Sequence, residues 1–280
     1  MYTDLEDEFG DVVGKARRGQ EIAVQELEQR AGLEAGTLGG IEAYETVPDG
    51  AAVERLAGAL GLEAAKLKTS ADKRFFPMQP AGRAVHGLQV EMLVLGSDFL
   101  MNGYIVSCAE TKKGVVIDPG FDAEHIMKTI EDAALEIEYI LLTHGHGDHI
   151  GALGDICDGT GAPAFISRED MSLLGDKSRW IEGAIVEGEI FTFGKEELQA
   201  KPTPGHTAGG TSLIHSEVAF VGDALFAGSL GGTRSLQAYR QQLEAVETQL
   251  LGLEEHVTLY PGHGPATTVA EERANNPFYA

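Results

Sequence analysis

The stretch that decides the fold is YILLTHGHGDHIG, residues 139–151. Its first part is an apolar run typical of a buried strand, which would deliver the following side chains into a loop at its C-terminal end. Residues two apart on an extended segment face the same way, so His144 and His146 can converge on one ion. Asp148 and His149 would then point elsewhere, where a second ion is their natural partner. We interpret Gly145 and Gly147 as permitting the tight backbone path.

Three further residues follow predicted strands in the same manner. His206 lies in PTPGHTAGG, Asp223 ends VAFVGD, and His263 lies in TLYPGHGP. Each is a metal-ligand type of side chain beside glycine at a strand end, and this repetition indicates a metal site rather than ordinary composition. The remaining histidines carry no such pattern and are interpreted as ordinary surface or core residues; they are His86, His125, His215 and His256.

The pattern of apolar residues after residue 88 predicts short strands with interleaved helices. Strands are expected at residues 90–95, 104–106, 115–117, 139–142, 164–166, 185–190, 198–202, 211–214, 218–221 and 257–260. Helices are expected at residues 123–135, 150–158 and 235–251. Many strands with few helices predict an α/β domain over residues 88–280, in which two sheets are sandwiched by helices.

The first 67 residues have a helical pattern throughout, and residues 68–87 are predicted to be a linker. The apolar spacing, a turn at Gly32 and the run ALGLEAAKL resemble the helix-turn-helix domain of Cro/repressor-type regulators. The third helix, in LEAGTLGGIEAYE, has no Arg, Lys, Asn or Gln to contact base edges. DNA binding is therefore disfavoured but left open, since the basic group Lys15, Arg17 and Arg18 could contact a DNA backbone. A dimerising or substrate-covering module is preferred.

Composition narrows the class of protein. The 280 residues carry 21 basic and 44 acidic side chains, a net charge of −23, which argues against a general nucleic-acid-binding role. Two cysteines are too few for a disulfide framework, the acidic N-terminus is unlike a signal peptide, and no stretch is apolar enough to span a membrane. We expect a cytoplasmic protein that acts on a small-molecule substrate and forms a homodimer.

Together these motifs resemble the metallo-β-lactamase superfamily, and most closely its glyoxalase II-like hydrolases. The resemblance covers about residues 88–280 and rests on VIDPG, THGHGDH, PGHTAGG, VGDALFAGSLGGT and YPGHGPATT. It implies an αββα sandwich with two divalent metal ions, zinc being preferred and iron or manganese permitted by the same ligands. It implies that one ion is bound by His144, His146 and His206, the second by Asp148, His149 and His263, and both by Asp223. Asp118 would be the buried carboxylate that supports the metal loop.

A two-metal site of this type implies a hydrolase that uses a metal-bridging hydroxide on a small thioester or ester, with Asp148 also orienting the hydroxide. No protein acid is evident for the leaving group, so an easily expelled thiolate is favoured. Compact relatives continue this region into Gly-Arg-Thr-Asp, whereas this chain has Gly231-Gly232-Thr233-Arg234, so glutathione specificity is left open. Arg234 is either a substrate-binding cation or a surface residue. The alternatives are a persulfide dioxygenase with one iron and a metabolite-responsive DNA-binding regulator.

Overall fold

The computed structural model describes residues 2–97 and 99–280. Among these residues, those from 2 to 71 contain five helices: α1 Phe9–Gly19, α2 Val24–Ala31, α3 Thr37–Glu42, α4 Gly50–Leu60 and α5 Ala64–Ala71. Four more helices follow, namely α6 Ala123–Asp132, α7 Leu153–Thr160, α8 Leu236–Ala245 and α9 Val269–Asn275. A 3₁₀ segment spans Arg168–Trp180, and a π-helical turn, Val246–Leu250, continues α8.

The strands form two mixed sheets. The first has the order β1 to β7 and consists of Gly82–Val85, Leu88–Leu95, Met101–Cys108, Lys113–Ile117, Glu136–Leu141, Ala164–Ser167 and Ile181–Ile185. The second has the order β13-β12-β11-β10-β9-β8, where β8 to β13 are Ile190–Phe193, Glu196–Pro202, Thr211–Ile214, Val218–Gly222, Thr258–Pro261 and Thr267–Thr268. Strands β4 to β7 are parallel, as are β11 and β12.

Three apolar clusters fix the layers. Between the sheets, Tyr104, Phe220 and Tyr260 pack with ring centroids 5.0–5.5 Å apart. Helices α6 and α7 bury their apolar faces against the outer side of the first sheet. Helix α8 and the N-terminal helices bury theirs against the outer side of the second. The predicted mixed α/β architecture with two sheets between helices is therefore confirmed.

One predicted strand is wrong in detail. Residues 185–190 do not form a single strand: β7 ends at Ile185, β8 begins at Ile190, and residues 186–189 form a turn between the two sheets. Gly188 adopts φ 77°, a left-handed conformation that favours glycine, and the Val186 amide donates to Glu189 Oε2 at 2.9 Å. The apolar residues at both ends of the turn made it resemble one continuous strand.

The N-terminal helices share a single apolar cluster with the second sheet and α8. In α1, Lys15 Nζ donates to the Leu230 carbonyl at 2.8 Å and forms an ion pair with the buried Asp7. Lys15 Nζ also lies 4.6 Å from the centre of the Phe226 ring. Helix α1 is thus attached to residues 226–232, the segment that follows β11.

The division into residues 1–67, 68–87 and 88–280 stays a prediction. Within residues 68–87, the structure extends α5 to Ala71 and places β1 at Gly82–Val85, where it pairs with β2.

The helix-turn-helix interpretation of the N-terminal region also stays a prediction. Its three basic residues are engaged with carboxylates, because Lys15 pairs with Asp7 whereas Arg17 and Arg18 pair with Glu42. Among the described residues no helix has the length and apolar character needed to cross a membrane.

Candidate metal centre

The topology explains why residues far apart in sequence meet. Strands β4 and β5 are parallel neighbours in one sheet, and β11 and β12 are parallel neighbours in the other. Their carboxyl ends therefore lie at the same end of the sandwich, where layered α/β folds form their clefts. The two sheets are joined at this end by the Thr211 amide, which donates to the Thr143 carbonyl at 2.9 Å.

One cluster consists of His144, His146, His206 and Asp223, with one potential ligand atom from each side chain lying within 4.8 Å of the others. His206 Nε2 is 2.9 Å from His146 Nδ1 and 3.3 Å from Asp223 Oδ2. His144 Nε2 is 3.9 Å from the same carboxylate oxygen. These are the three histidines and the aspartate expected for the first ion.

A second cluster lies on the other side of Asp223 and consists of Asp148, His149 and His263. Asp148 Oδ2 is 3.2 Å from His263 Nε2 and 3.5 Å from His149 Nε2. Asp223 reaches this group too, because its Oδ1 is 3.4 Å from His149 Nε2 and its Oδ2 is 3.6 Å from His263 Nε2. Asp223 therefore occupies the position between the clusters that the sequence predicts for it.

The orientation of the histidine rings fits a metal site. Nδ1 of His206 donates to the Gly232 carbonyl and Nδ1 of His263 donates to the Leu100 carbonyl, both at 2.8 Å. A neutral ring that donates through Nδ1 carries its lone pair on Nε2, and both Nε2 atoms face Asp223. His144 Nε2 and Asp223 Oδ1 are buried and have no hydrogen-bond partner. The clusters thus fit a two-metal site, in which metal ions would satisfy these atoms.

The electrostatics of His144 and Asp223 agree with ligand roles. At His149, burial would lower the pKa, but Asp223 and Asp118 raise it well above its usual value. Burial lowers the pKa of His144 well below its usual value, and nearby His149 lowers it further, so this imidazole is neutral. Burial alone would raise the pKa of Asp223, but the neighbouring His149 holds it well below its usual value. A neutral imidazole and an ionised carboxylate are the protonation states that metal ligands need.

Asp118 contacts both the start of the metal loop and a histidine in it. Its carboxylate accepts from the Thr143 amide at 2.8 Å and from the Thr143 hydroxyl at 2.6 Å, and it is 2.9 Å from His149 Nδ1. Its backbone is left-handed, with φ 51°. Aspartate tolerates this conformation better than most residues, and here it lets one carboxylate orient both the start of the loop and a histidine in it.

Two supporting residues were missed at the sequence level. The buried Asp170 accepts from the Gly145 amide at 3.1 Å and from the Gly209 amide at 2.8 Å, so it joins the His144 and His206 loops. The buried Gln242 on α8 donates to the Ala224 and Gly231 carbonyls at 2.9 and 3.1 Å. Neither had a sequence signal, since each lies among ordinary polar residues and acts through backbone partners distant in the chain.

The rim of the centre is largely apolar. Phe99 and Leu100, exposed at 55% and 41%, lie beside His263, whose ring centroid is 5.0 Å from that of Phe99. Leu173 is 47% exposed and packs closely against Gly145. Arg234 is exposed, and no partner for its guanidinium is found within residues 2–97 and 99–280. Its substrate-binding role stays a prediction.

Comparison with known proteins identifies the family to which the chain belongs. Residues 100–268 match the metallo-beta-lactamase superfamily. The chain belongs to this superfamily. The chain is 32% identical to hydroxyacylglutathione hydrolase GloC of Haemophilus influenzae over an alignment of 190 residues, and the match covers 60% of this chain and 88% of GloC. Glyoxalase II-like relatives are therefore among its homologues, as expected.

Solved structures of the superfamily are also similar. ETHE1 from Myxococcus xanthus has a TM-score of 0.60 and 25% identity, and the match covers 67% of this chain and 83% of that protein. TTHA1623, crystallised in a di-iron-bound form, has a TM-score of 0.56 and 29% identity, with 67% of this chain and 98% of that protein covered. The superfamily is commonly hydrolytic, and the two clusters around Asp223 fit the dinuclear centres found in it.

Proposed function

We propose that the protein is a dinuclear metallo-hydrolase that acts on a small thioester or ester. The observation that carries this proposal is the position of Asp223, whose two carboxylate oxygens face histidines of both clusters. When bound, two divalent ions supply a nucleophile derived from water near neutral pH and Lewis acidity toward the substrate carbonyl. Zinc is the preferred metal, with iron and manganese compatible with the same ligands.

Asp148 is the residue of the centre that we assign to orienting the nucleophile. Its side chain is 21% exposed, whereas that of His149 is fully buried. Burial would raise the pKa of Asp148, but the neighbouring His263 and His149 lower it overall. Asp148 therefore stays ionised and can accept a hydrogen bond from an attacking water.

The surroundings of the centre favour a good leaving group. Three exposed side chains of the described rim, Phe99, Leu100 and Leu173, are apolar and cannot protonate an expelled oxygen. A thiolate leaves without such help, which favours a thioester, the substrate class that the name of GloC also indicates. A glutathione conjugate is one candidate.

The test is hydrolysis by the metal-free protein reloaded with two equivalents of zinc. We expect turnover of at least one thioester in a panel of acyl-glutathiones, simple acyl thioesters, lactones and β-lactams, with little β-lactam hydrolysis. Protein reloaded with magnesium is the control, because magnesium disfavours histidine ligands. Absence of turnover across the whole panel would contradict the proposal.

A persulfide dioxygenase is the second candidate, favoured by the similarity to ETHE1. That reaction needs iron and consumes oxygen, so oxygen uptake by iron-loaded protein with glutathione persulfide separates the candidates. The full second cluster, Asp148, His149 and His263, favours the hydrolase. The regulator hypothesis is disfavoured, since Lys15 and Arg17 are committed to ion pairs.

A further inference from the structure

The N-terminal segment before α1 packs against the loop that carries His263. The Tyr2 hydroxyl donates to Asn102 Oδ1 at 2.9 Å, and Asn102 Nδ2 donates to the Pro261 and Gly264 carbonyls at 3.0 and 2.8 Å. Farther along the segment, Glu6 lies on Gly264: a Cβ at Gly264 would be 2.9 Å from Glu6 Cβ. Residues 2–7 therefore border the metal centre, although they lie outside the α/β domain in sequence.

Glu6 is the unpaired charge of this border. Its side chain is exposed, and no ion pair or hydrogen bond of its carboxylate is found in the described parts of the chain. The neighbouring Asp7, by contrast, is buried and neutralised by Lys15. A negative charge thus remains beside the centre without a compensating cation.

The Glu6 carboxylate is close enough to interact with the ligands electrostatically. Partial desolvation raises its pKa, the nearby His263 opposes this rise, and Asp7 and Asp223 add to it while Lys15 lowers it. Glu6 packs on Gly264, which follows His263 in the chain, so its exposed side chain stands beside the His263 loop. A charged substrate group in the same space would be subject to its field.

We propose that Glu6 is a specificity-determining residue that favours substrates with a cationic group beside the His263 loop and disfavours anionic ones. This inference rests on the proposed metal centre and goes beyond the reaction class. Unit charges roughly 8 Å apart near a protein surface change an equilibrium by about three- to thirtyfold. The protein's net charge of −23 acts in the same direction but is not localised at the site.

Binding of two small thiols to cobalt-loaded protein tests the proposal without requiring turnover. A thiolate that binds Co²⁺ gives a characteristic charge-transfer absorption, which allows titration with 2-aminoethanethiol, a cation, and 3-mercaptopropanoate, an anion of similar size. The quantity to compare is the ratio of their two dissociation constants. Intrinsic differences between the thiols cancel when this ratio is compared between variants.

We expect Glu6→Gln to shift the ratio at least fivefold in favour of the anionic thiol, and E6K to shift it further. Asp4→Asn is the matched control, because it removes the same charge from an exposed position of the same segment. It should shift the ratio less than twofold. Equal shifts in both variants, or no shift in Glu6→Gln, would overturn the proposal.

The result is separable from the test of hydrolysis. If the thiols bind and show the Glu6 effect but no substrate in the panel turns over, the specificity inference stands and the proposed reaction fails. If hydrolysis is found and the ratio does not respond to Glu6, only the specificity inference fails. A wild-type protein that binds no cobalt would overturn both.

Discussion

Replacing Asp223 with asparagine should lower kcat/KM for thioester hydrolysis by about 10³-fold or more. Asp223 contacts both clusters, and an amide cannot offer two anionic oxygens to two cations. Metal-ion catalysis contributes several kcal/mol of transition-state stabilisation, and each 1.36 kcal/mol corresponds to a factor of ten in rate. Steady-state kinetics and the metal content after dialysis check this expectation, and we expect fewer than two metal ions per chain.

Asp118→Asn is the matched comparison for this variant. Asp118 is also a buried aspartate, but it contacts Thr143 and Nδ1 of His149, the ring nitrogen opposite the Nε2 atom that faces Asp223. Loss of such a supporting carboxylate costs about 10- to 100-fold in metal affinity or activity. An Asp223→Asn protein that keeps both metal ions and activity within tenfold of the wild type would contradict a bridging role.

A single added methyl group at Gly262 should have a comparably large effect. A Cβ at this position would lie 2.2 Å from Asp223 Oδ1 and 2.5 Å from His149 Cε1. These clashes are relieved only if the ligand side chains themselves move. We expect Gly262→Ala to lose at least 100-fold in kcat/KM and to bind the second metal ion weakly, because displaced ligands forfeit the favourable metal geometry. Zinc titration and kinetics measure both effects.

Gly147→Ala provides the control for the methyl group itself. Gly147 lies in the metal-binding loop, but a Cβ there would meet nothing within 4 Å and its φ is not in the left-handed region. We expect its kcat/KM to stay within twofold of the wild type. If both alanine variants lose activity equally, the effect would come from loop flexibility and not from crowding of Asp223 and His149.

The two glycines of the metal-binding loop, Gly145 and Gly147, show how far a structural role could be predicted from the sequence. Gly145 and Gly147 were both thought to permit a tight backbone path. The structure supports a steric need only at Gly145, where a Cβ would lie 2.8 Å from Leu173 Cβ and 3.0 Å from the Asp170 carbonyl. Alternating glycines in a motif do not reveal which of them faces a close neighbour, because the neighbour comes from a distant part of the chain.

The metal-ligand side chains could be predicted because each is marked locally, by glycine and by a preceding apolar strand. Their convergence follows from parallel strand pairs, whose carboxyl ends meet. The supporting contacts have no local mark: Asp170 lies in a charged 3₁₀ segment, and Gln242 lies on a helix whose polar residues look solvent-facing. Their roles depend on long-range backbone partners, which composition and periodicity do not encode.

The position of the N-terminal helices on the α/β domain could not be predicted from the sequence either. The apolar stripes of α1 to α5 predicted helices that must pack on something, but not that they share a cluster with β11 and α8. The contacts between the N-terminal region and the site depend on the tertiary structure. Lys15 contacts the Leu230 carbonyl and Glu6 contacts Gly264 only in this arrangement.

The most direct test of the two-metal account is a zinc titration of metal-free protein, followed by thioester hydrolysis in oxygen-free buffer. The account predicts that the rate rises until two equivalents of zinc are bound and then becomes constant, with no requirement for oxygen. Full activity at one equivalent, or activity that appears only with iron and oxygen, would contradict it.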